Sequence, residues 1–447
     1  MQQILILGAG RSSTSLIQYL IALAPEKSWS VTIGEKDTAL AMAKFPQAHV
    51  IEFDIFNEEA SSKLISTSDI VISMMPASLH IHAAKLCANF GKTLLTASYL
   101  SDEIKALHDT FESHGAACIM ELGLDPGLDH MSAMKVLDRI KREGGQLTGF
   151  ETFTGGLLAD DPSKDNPWQY KFTWNPRNVV MAGSGTVKFI QENRYKYIPY
   201  QKLFRRTEII HIPGYGYFEG YANRDSLKYL NVYELDGIST LYRGTLRRPG
   251  FCKAWDIFVQ IGATDDSFKM EKVSEMTHRQ FINSFLSFNP DDSVELKLAH
   301  YTNIDRDSDE MYKLNWLGLF SNELVGLSEG TPAQILEHIL KKKWTLDPTD
   351  RDMIVMWHKF NFIKNGEPVE IQSSMVTIGD DEINTAMSKT VGLPLAIAAH
   401  KILDGEINVT GVHIPTSKKI YSPILDRLEE MGFEFSERII SNEVKQT

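Results

Sequence analysis

The chain has 447 residues, a hydrophobic fraction of 43%, and 46 Lys+Arg against 58 Asp+Glu. That length exceeds what one hydrophobic core usually serves, so two domains with room for a further subdomain are expected. The formal net charge of −12 repels nucleic acid and anionic membrane surfaces, which argues against both as partners.

Taken in order, the chain opens on an apolar strand, Ile4 to Leu7, followed at once by Gly8, Ala9 and Gly10, then Arg11, Ser12 and Ser13, then a helix carrying Leu16, Ile17 and Leu20. This order suits a dinucleotide. The first glycine permits the tight turn, the second lets the backbone approach a pyrophosphate, and the helix start offers N–H groups to phosphate. Ser13 stands where the third glycine of G-x-G-x-x-G would be, so the fingerprint is incomplete and draws its weight from the strand-to-helix context.

Strands are predicted over residues 29–33, 49–53, 70–74, 93–97 and 116–122, and helices over 38–45, 58–66 and 101–114. That alternation predicts an α/β fold with a doubly wound parallel sheet, whose ligands gather at the strands' carboxyl ends. Those ends carry Gly8 to Ser13, Glu35 and Lys36, Asp54, Met75 and Pro76, Ser98 and Tyr99, and Asp125. Glu35 stands where a carboxylate would accept hydrogen bonds from the adenosine ribose, which favours NAD(H). Lys36 follows it as a point charge for a 2′-phosphate, so NADP(H) stays open.

In ELGLDPGLDHM, residues 121–131, a hydrophobic strand runs into an Asp-Pro-Gly turn and an amphipathic helix bearing Leu128, Met131 and Met134. Asp125 is expected to cap that helix and Pro126 to open it, with an end near Gly144-Gly145. The strand-end location also makes Asp125 and Asp129 candidates for chemistry, against the plainer reading of Asp125 as a cap alone.

Beyond this point, strands are expected at 147–154, at YKFTWNP (170–176) and at LNVYEL (230–235), with an acidic loop at Asp160 to Asp165 between the first two. Arg224, Arg243, Arg247 and Arg248 fall close together. They form either a site for an anionic small substrate or ordinary solvated arginines paired with Asp225, Glu234 or Asp236. Residues 274–343 turn helical, Asn365-Gly366 reads as a two-residue hairpin turn, and 384–405 form a nearly all-apolar helix expected to dock on the nucleotide-binding half.

Cys87, Cys118 and Cys252 are scattered and read as reduced core residues, with no metal-ligand spacing. The chain starts directly on a strand, and no run reaches the ~18 apolar residues of a membrane helix. A cytoplasmic enzyme or sensor is expected.

These stretches together resemble the saccharopine dehydrogenase family, in its glutamate-forming saccharopine reductase branch. The resemblance rests on GAG, TASYLSDEI, MELGLDPGLDHM, TGGL, YKFTWNP, YANRDS, TLYRGTLRRPGF and SKTVGLPLAIAA. It implies a variant Rossmann domain (1–125 plus 386–447), an inserted mixed α+β substrate and dimerisation domain (126–273 and 344–385), a helical insert (274–343), and a homodimer. The implied reaction is the NAD(P)-dependent interconversion of saccharopine with glutamate and 2-aminoadipate 6-semialdehyde by hydride transfer at a C–N bond.

Substrate contacts carried over by the resemblance are Ser98, Tyr99, Asp125, Arg224, Thr245, Leu246 and Arg247. Cofactor contacts are Gly8, Gly10, Arg11, Ser12, Ser13, the end of the second strand, Met75, Pro76, Leu124 and Asp125. Asp125, then Tyr99, are the expected proton-handling groups. Thr154 stands where relatives carry a cysteine, which removes a thiol from consideration. The alternatives are a carboxynorspermidine-type dehydrogenase, whose polyamine substrate the acidic loop would suit, or a non-catalytic dinucleotide-binding sensor.

Overall fold

A computed structural model describes residues 1–160 and 165–440. Residues 161–164 of the expected acidic loop, and residues 441–447 of the expected C-terminal segment, lie outside the described residues. The chain divides into two compact units. The first comprises Met1–Gln146, Phe362–Pro368 and Thr377–Arg438; the second comprises Leu147–Asn361, Val369–Val376 and the residues from Ile439 on.

In the first unit, strands β1 (Gln2–Leu7), β2 (Trp29–Glu35), β3 (His49–Glu52), β4 (Ile70–Ser73), β5 (Thr93–Thr96) and β6 (Ala117–Ile119) alternate with helices α1 (Thr14–Lys27), α2 (Thr38–Lys44), α3 (Glu58–Thr67), α4 (His80–Phe90), α5 (Asp102–Lys105) and α6 (His108–Ser113). All ladders are parallel, because each strand is followed by a helical crossover. Strand order reverses on either side of β1, which pairs with both β2 and β4. The carboxyl ends of those strands flank the crevice where open α/β sheets bind ligands. The predicted helix over 101–114 is broken into α5 and α6; Ser101 caps the first, its hydroxyl accepting from Ile104 N at 3.3 Å.

Helix α7 (Leu128–Arg142) follows β6, and here the structure corrects the sequence reading. Asp125 is not its cap and Pro126 is not its first residue: Gly127 is the N-cap, at φ 145°, and the Asp125-Pro126 peptide is cis. Asp129 meets the orphan donor instead, its Oδ1 accepting from Gly127 N at 2.6 Å. The first unit extends through α7 to Gln146, where a boundary at 125 was expected.

The second unit carries β7 (Gln146–Leu158), α8 (Pro176–Val180), β8 (Val187–Gln191), β9 (Arg194–Ile198), β10 (Thr207–Ile212), β11 (Gly216–Ala222), β12 (Thr240–Arg247) and the helices α9 (Phe251–Ile261), α10 (His278–Asn283), α11 (Val294–Thr302), α12 (Asp309–Trp316) and α13 (Pro332–Trp344). The helical stretch expected as a separate insert, 274–343, belongs to this unit. A hairpin of β13 (Asp352–Lys364) and β14 (Glu367–Ile378) turns at Asn365 and Gly366, both at positive φ as the dipeptide predicted. The strand path β10-β11-β12-β7-β13-β14 makes a mixed sheet, with β12 parallel to β7 and antiparallel to β11. Residues 170–175 and 230–235 form no strand. Their alternation is packing: Tyr170 and Phe172 bury beside Trp344, with ring centroids 5.0 and 5.3 Å from it.

The chain then returns to the first unit as α14 (Ala386–Leu403), β15 (Gly411–His413), which extends the parallel sheet beyond β6, and α15 (Lys418–Glu430). Helix α14 lies against the start of α1. A Cβ at Gly392 would stand 2.9 Å from Leu16 N, and Ser388 Oγ accepts from Ser15 N at 2.9 Å. Small residues here let two backbones approach. None of the described helices is long and apolar enough to cross a membrane.

The tightest approach of one backbone to another at a glycine is at Gly127, where a Cβ would fall 2.2 Å from Gly123 O. Gly127→Ala combines that overlap with a φ that L residues avoid. It is expected to lower unfolding free energy by about 3 kcal/mol or more in urea titrations; a change under ~1 kcal/mol would show that the turn relaxes freely.

Candidate functional site

At the carboxyl end of β1, Gly8 to Ser13 lead into α1 as the glycine pattern predicts, with Gly8 N donating to Gly34 O at 2.9 Å. A Cβ at Gly10 would meet nothing within 4 Å. There is thus open space beside the loop at the helix start, the place where a pyrophosphate is held. Glu35 accepts at Oε2 from Ala9 N (2.7 Å) and at Oε1 from Lys36 N (2.8 Å). Its carboxylate is therefore stitched to the glycine loop. Lys44 Nζ donates to Gly10 O at 3.1 Å, and burial, then the Arg11 charge, lower its ammonium pKa. Asp54 is exposed and Met75 half-buried at their strand ends, with Pro76 exposed beside Met75.

Two strand ends further on, the predicted pair meets: Tyr99 OH donates to Asp125 Oδ1 at 3.1 Å. Both are half-buried, and Leu124 is buried beside them. Ser98 Oγ lies 2.7 Å from His80 Nε2, whose Nδ1 lies 2.8 Å from Ser73 Oγ. His80 escaped the sequence reading because nothing in PASLHIHAA marks which histidine turns inward. Glu121 and His130 were missed as well. Glu121 Oε2 lies 2.7 Å from His130 Nε2, and Oε1 accepts from Leu100 N at 2.9 Å. A lone glutamate in an apolar run was the available signal. Elsewhere in this unit, His108, Asp109 and Glu112 on α6 bring potential metal-ligand atoms within 4.8 Å of one another, but His108 Nδ1 already accepts from Val412 N at 3.0 Å.

In the second unit the four arginines separate in character. Arg248 is buried and bound to Asp160 Oδ1 (2.6 Å) and Tyr215 O (2.9 Å), a salt bridge, though not the solvated pairing with Asp225, Glu234 or Asp236 that was the alternative. Arg243 is buried with its guanidinium 4.2 Å from the Tyr229 ring centroid. Arg224 is exposed, at φ 51°. Arg247 is buried among rings, its guanidinium carbon 5.0 Å from the centroid of Tyr170, 5.3 Å from Phe251 and 5.9 Å from Tyr221. Nη1 donates to Leu246 O at 2.9 Å. Among the described residues its Nε has no hydrogen-bond partner, and it makes no ion pair. Burial pushes the Tyr170 phenol up to about 12, so that neighbour is neutral. Thr245 shares the face of β12 with Arg247, while Leu246, fully buried, points to the other side. Thr154, opposite Thr245 in the ladder, has a buried hydroxyl without a partner among the described residues.

The three cysteines are buried and unpaired, and burial pushes the Cys118 thiol up to about 12, as core thiols rather than reactive ones.

Comparison with known proteins places this geometry. Residues 4–119 match the domain described as the saccharopine dehydrogenase NADP binding domain, and residues 123–433 the saccharopine dehydrogenase C-terminal domain. The chain belongs to the saccharopine dehydrogenase family. It is 34% identical over 445 residues to the mitochondrial alpha-aminoadipic semialdehyde synthase of Bos taurus, covering 97% of this chain and 47% of that protein. It is 30% identical over 457 residues to the saccharopine dehydrogenase [NADP(+), L-glutamate-forming] of Schizosaccharomyces pombe, covering 99% and 100% respectively. The chain thus spans about half the length of the mammalian relative and all of the yeast one. The apo saccharopine dehydrogenase (L-Glu forming) of Saccharomyces cerevisiae superposes with a TM-score of 0.88 at 27% identity, over 99% of this chain and 100% of that one. A homospermidine synthase from Legionella pneumophila, at a TM-score of 0.55 and 10% identity, shares the fold alone.

Membership of this family makes the first unit a nicotinamide dinucleotide-binding domain. The NADP in the matched description weighs against the preference for NAD(H) expected from Glu35.

His80 supplies a test independent of turnover. Burial lowers its pKa from 6.5 to about 4, so between those values the unfolded chain binds a proton that the folded chain does not. Stability is then full above pH 6.5 and falls as pH drops toward 4, by about 3 kcal/mol for a shift of this size. His80→Gln should flatten that limb of the stability–pH curve relative to the parent; curves of equal slope would show that His80 titrates normally.

Proposed function

We propose that this chain is a saccharopine reductase, interconverting saccharopine with glutamate and 2-aminoadipate 6-semialdehyde with NADP(H). The observation that carries the reading is Arg247, a buried guanidinium surrounded by rings and without an ion pair among the described residues. Burial without a direct ion pair is costly, and Glu219, the partner of Arg247 across the β11–β12 ladder, offsets that cost only as a longer-range charge, so this position suits a further anion. A planar guanidinium suits a carboxylate, and saccharopine carries several. A polyamine is cationic and suits Arg247 poorly. Substrate contacts are assigned to Ser98, Tyr99, Asp125, Arg224, Thr245 and Arg247; the Leu246 side chain, fully buried on the opposite face of β12, is not among them. Assembly as a homodimer and a cytoplasmic location belong to the same proposal.

When bound, the nicotinamide supplies the hydride acceptor. On the substrate, hydride leaves the carbon beside the secondary amine and the amine loses its proton; water adds to the resulting C=N bond, and the carbinolamine collapses to aldehyde and amine. Asp125, already accepting from Tyr99, is the group assigned to these proton movements. For the coenzyme, Gly8 to Ser13, Met75, Pro76 and Leu124 line the nucleotide side. Lys36, Lys44 and Arg11 supply positive charge toward a 2′-phosphate, against the carboxylates of Glu35, of Glu52 beside it in the ladder and of Asp54 at the next strand end.

Mixing the protein with NADP⁺ and saccharopine should generate NADPH absorbance, and NADPH should bind more tightly than NADH in a fluorescence titration. Turnover of carboxynorspermidine but not saccharopine would shift the reading to polyamine synthesis, and coenzyme binding without turnover of either would leave a sensor.

Asp125→Asn keeps an acceptor for Tyr99 but cannot take up a proton. Because Asp125 caps no helix, its melting temperature should stay near the parent's while turnover falls by about 10²- to 10⁴-fold. Near-normal turnover across the pH profile would transfer the proton role to Tyr99 or water.

A further inference from the structure

We infer that Glu121, together with His130, is a positioning pair that holds Tyr99 and Asp125 in register for proton transfer. Glu121 brackets Tyr99 from both sides. Its N–H donates to Ser98 O at 3.0 Å, and its carboxylate Oε1 accepts from Leu100 N at 2.9 Å. The residues before and after Tyr99 are therefore both tied to Glu121, one through its backbone and one through its carboxylate, which fixes where the phenol points.

The same carboxylate reaches the other partner. Oε2 lies 2.7 Å from Nε2 of His130, in the first turn of α7. His130 Nδ1 lies 3.6 Å from Asp129 Oδ2, and Asp129 Oδ1 accepts from Gly127 N at 2.6 Å. Gly127 closes the turn that carries Asp125. Hydrogen bonds, with one longer His130–Asp129 contact between them, thus lead from the backbone flanking Tyr99 to the turn bearing Asp125, while the two side chains meet at 3.1 Å.

Two features set this apart from an ordinary buried ion pair. Glu121 is 4% exposed and His130 is fully buried, a setting in which polar groups persist only with their partners in place. Glu121 also sits at φ 60°, the left-handed region that non-glycine residues seldom occupy and that clusters at functional positions. That conformation turns its N–H toward Ser98 while its side chain reaches Leu100. Precise placement matters because an error of about 1 Å in a reacting group can cost on the order of 10²-fold in rate.

The inference rests on the saccharopine reductase reading, and a double-mutant cycle tests the two separately. Glu121→Gly deletes the carboxylate yet accepts the local φ without strain; Tyr99→Phe deletes the phenol; the third protein carries both. With saccharopine and NADP⁺, Glu121→Gly should lower kcat roughly 10²-fold while NADPH affinity, read by fluorescence, stays within about twofold of the parent. Tyr99→Phe should then add less than about threefold in the Glu121→Gly background, because its partner geometry is already lost. Glu121→Gln, which keeps the acceptor for Leu100 N, should restore most of the rate. Should Glu121→Gly fail to bind NADPH, His130→Gln takes its place in the cycle with the same expectation. Penalties that multiply independently, or a Gln variant no better than Gly, overturn the positioning role. An inactive parent that binds NADPH overturns the saccharopine reading, and the inference with it.

Discussion

The close approach of Gly127 to Gly123 is the constraint on which the candidate site depends. The two backbones come so near that no side chain fits between them, and the turn they enclose is closed by Gly123 N donating to Pro126 O (3.0 Å) and by Leu128 N donating to Gly123 O (2.8 Å). Because the turn is held by backbone, the Asp125 side chain is not spent on capping. Asp129 takes that work at Gly127 N, and Asp125 meets Tyr99 instead. A motif that reads as a helix start thereby becomes a platform that presents a carboxylate at a strand end.

Two sets of buried polar groups are handled in opposite ways, and the difference separates support from recognition. Within the first unit Glu121 and His130 satisfy one another, Glu121 also accepts from Leu100 N, and Asp129 accepts from Gly127 N. Such a network rigidifies its surroundings, and deleting one member leaves the others exposed to the full desolvation penalty. Arg247 is a charge held among aromatic faces, with Glu219 its partner across the β11–β12 ladder but in no direct ion pair with it. Cation–π attraction, about 0.5 to 2 kcal/mol per ring, offsets part of the cost of burying it and leaves its hydrogen-bonding capacity for a ligand. The first arrangement fixes geometry; the second reserves affinity.

Much of the fold was legible because its signals are local. The glycine turn after β1, the strand and helix periods of the first unit, the Asn365-Gly366 hairpin and the small-residue helix α14 each follow from neighbouring residues. The misreadings are those where tertiary packing imitates a local pattern. Residues 170–175 alternate because Tyr170 and Phe172 bury against Trp344, and 230–235 alternate because Tyr233 and Leu235 bury from a succession of turns. Asp125-Pro126 has the chemistry of a cap and first turn, and only the Gly123 contact shows that the helix starts later. Tyr99 and Asp125 were legible as strand-end residues; Glu121, His80 and His130 were not, since their partners lie on other elements and no spacing encodes them.

Glu35 shows why coenzyme preference is harder to read than coenzyme binding. A carboxylate at the end of the second strand favours ribose hydroxyls and repels a 2′-phosphate when it stands free in the site. Here each oxygen already accepts a backbone N–H, from Ala9 and from Lys36. Such bonds spread its negative charge into the loop that it shapes. Around it stand Lys36 and Lys44, with Arg11 close enough to depress the Lys44 ammonium. A cation whose pKa is lowered by burial and by a neighbouring cation gains when an anion arrives, since the anion relieves both penalties. Glu35 therefore opposes a phosphate less than a free carboxylate would, and the cations beside the loop act in a phosphate's favour. The deciding quantity is not which residue ends the strand but what its side chain is already bonded to.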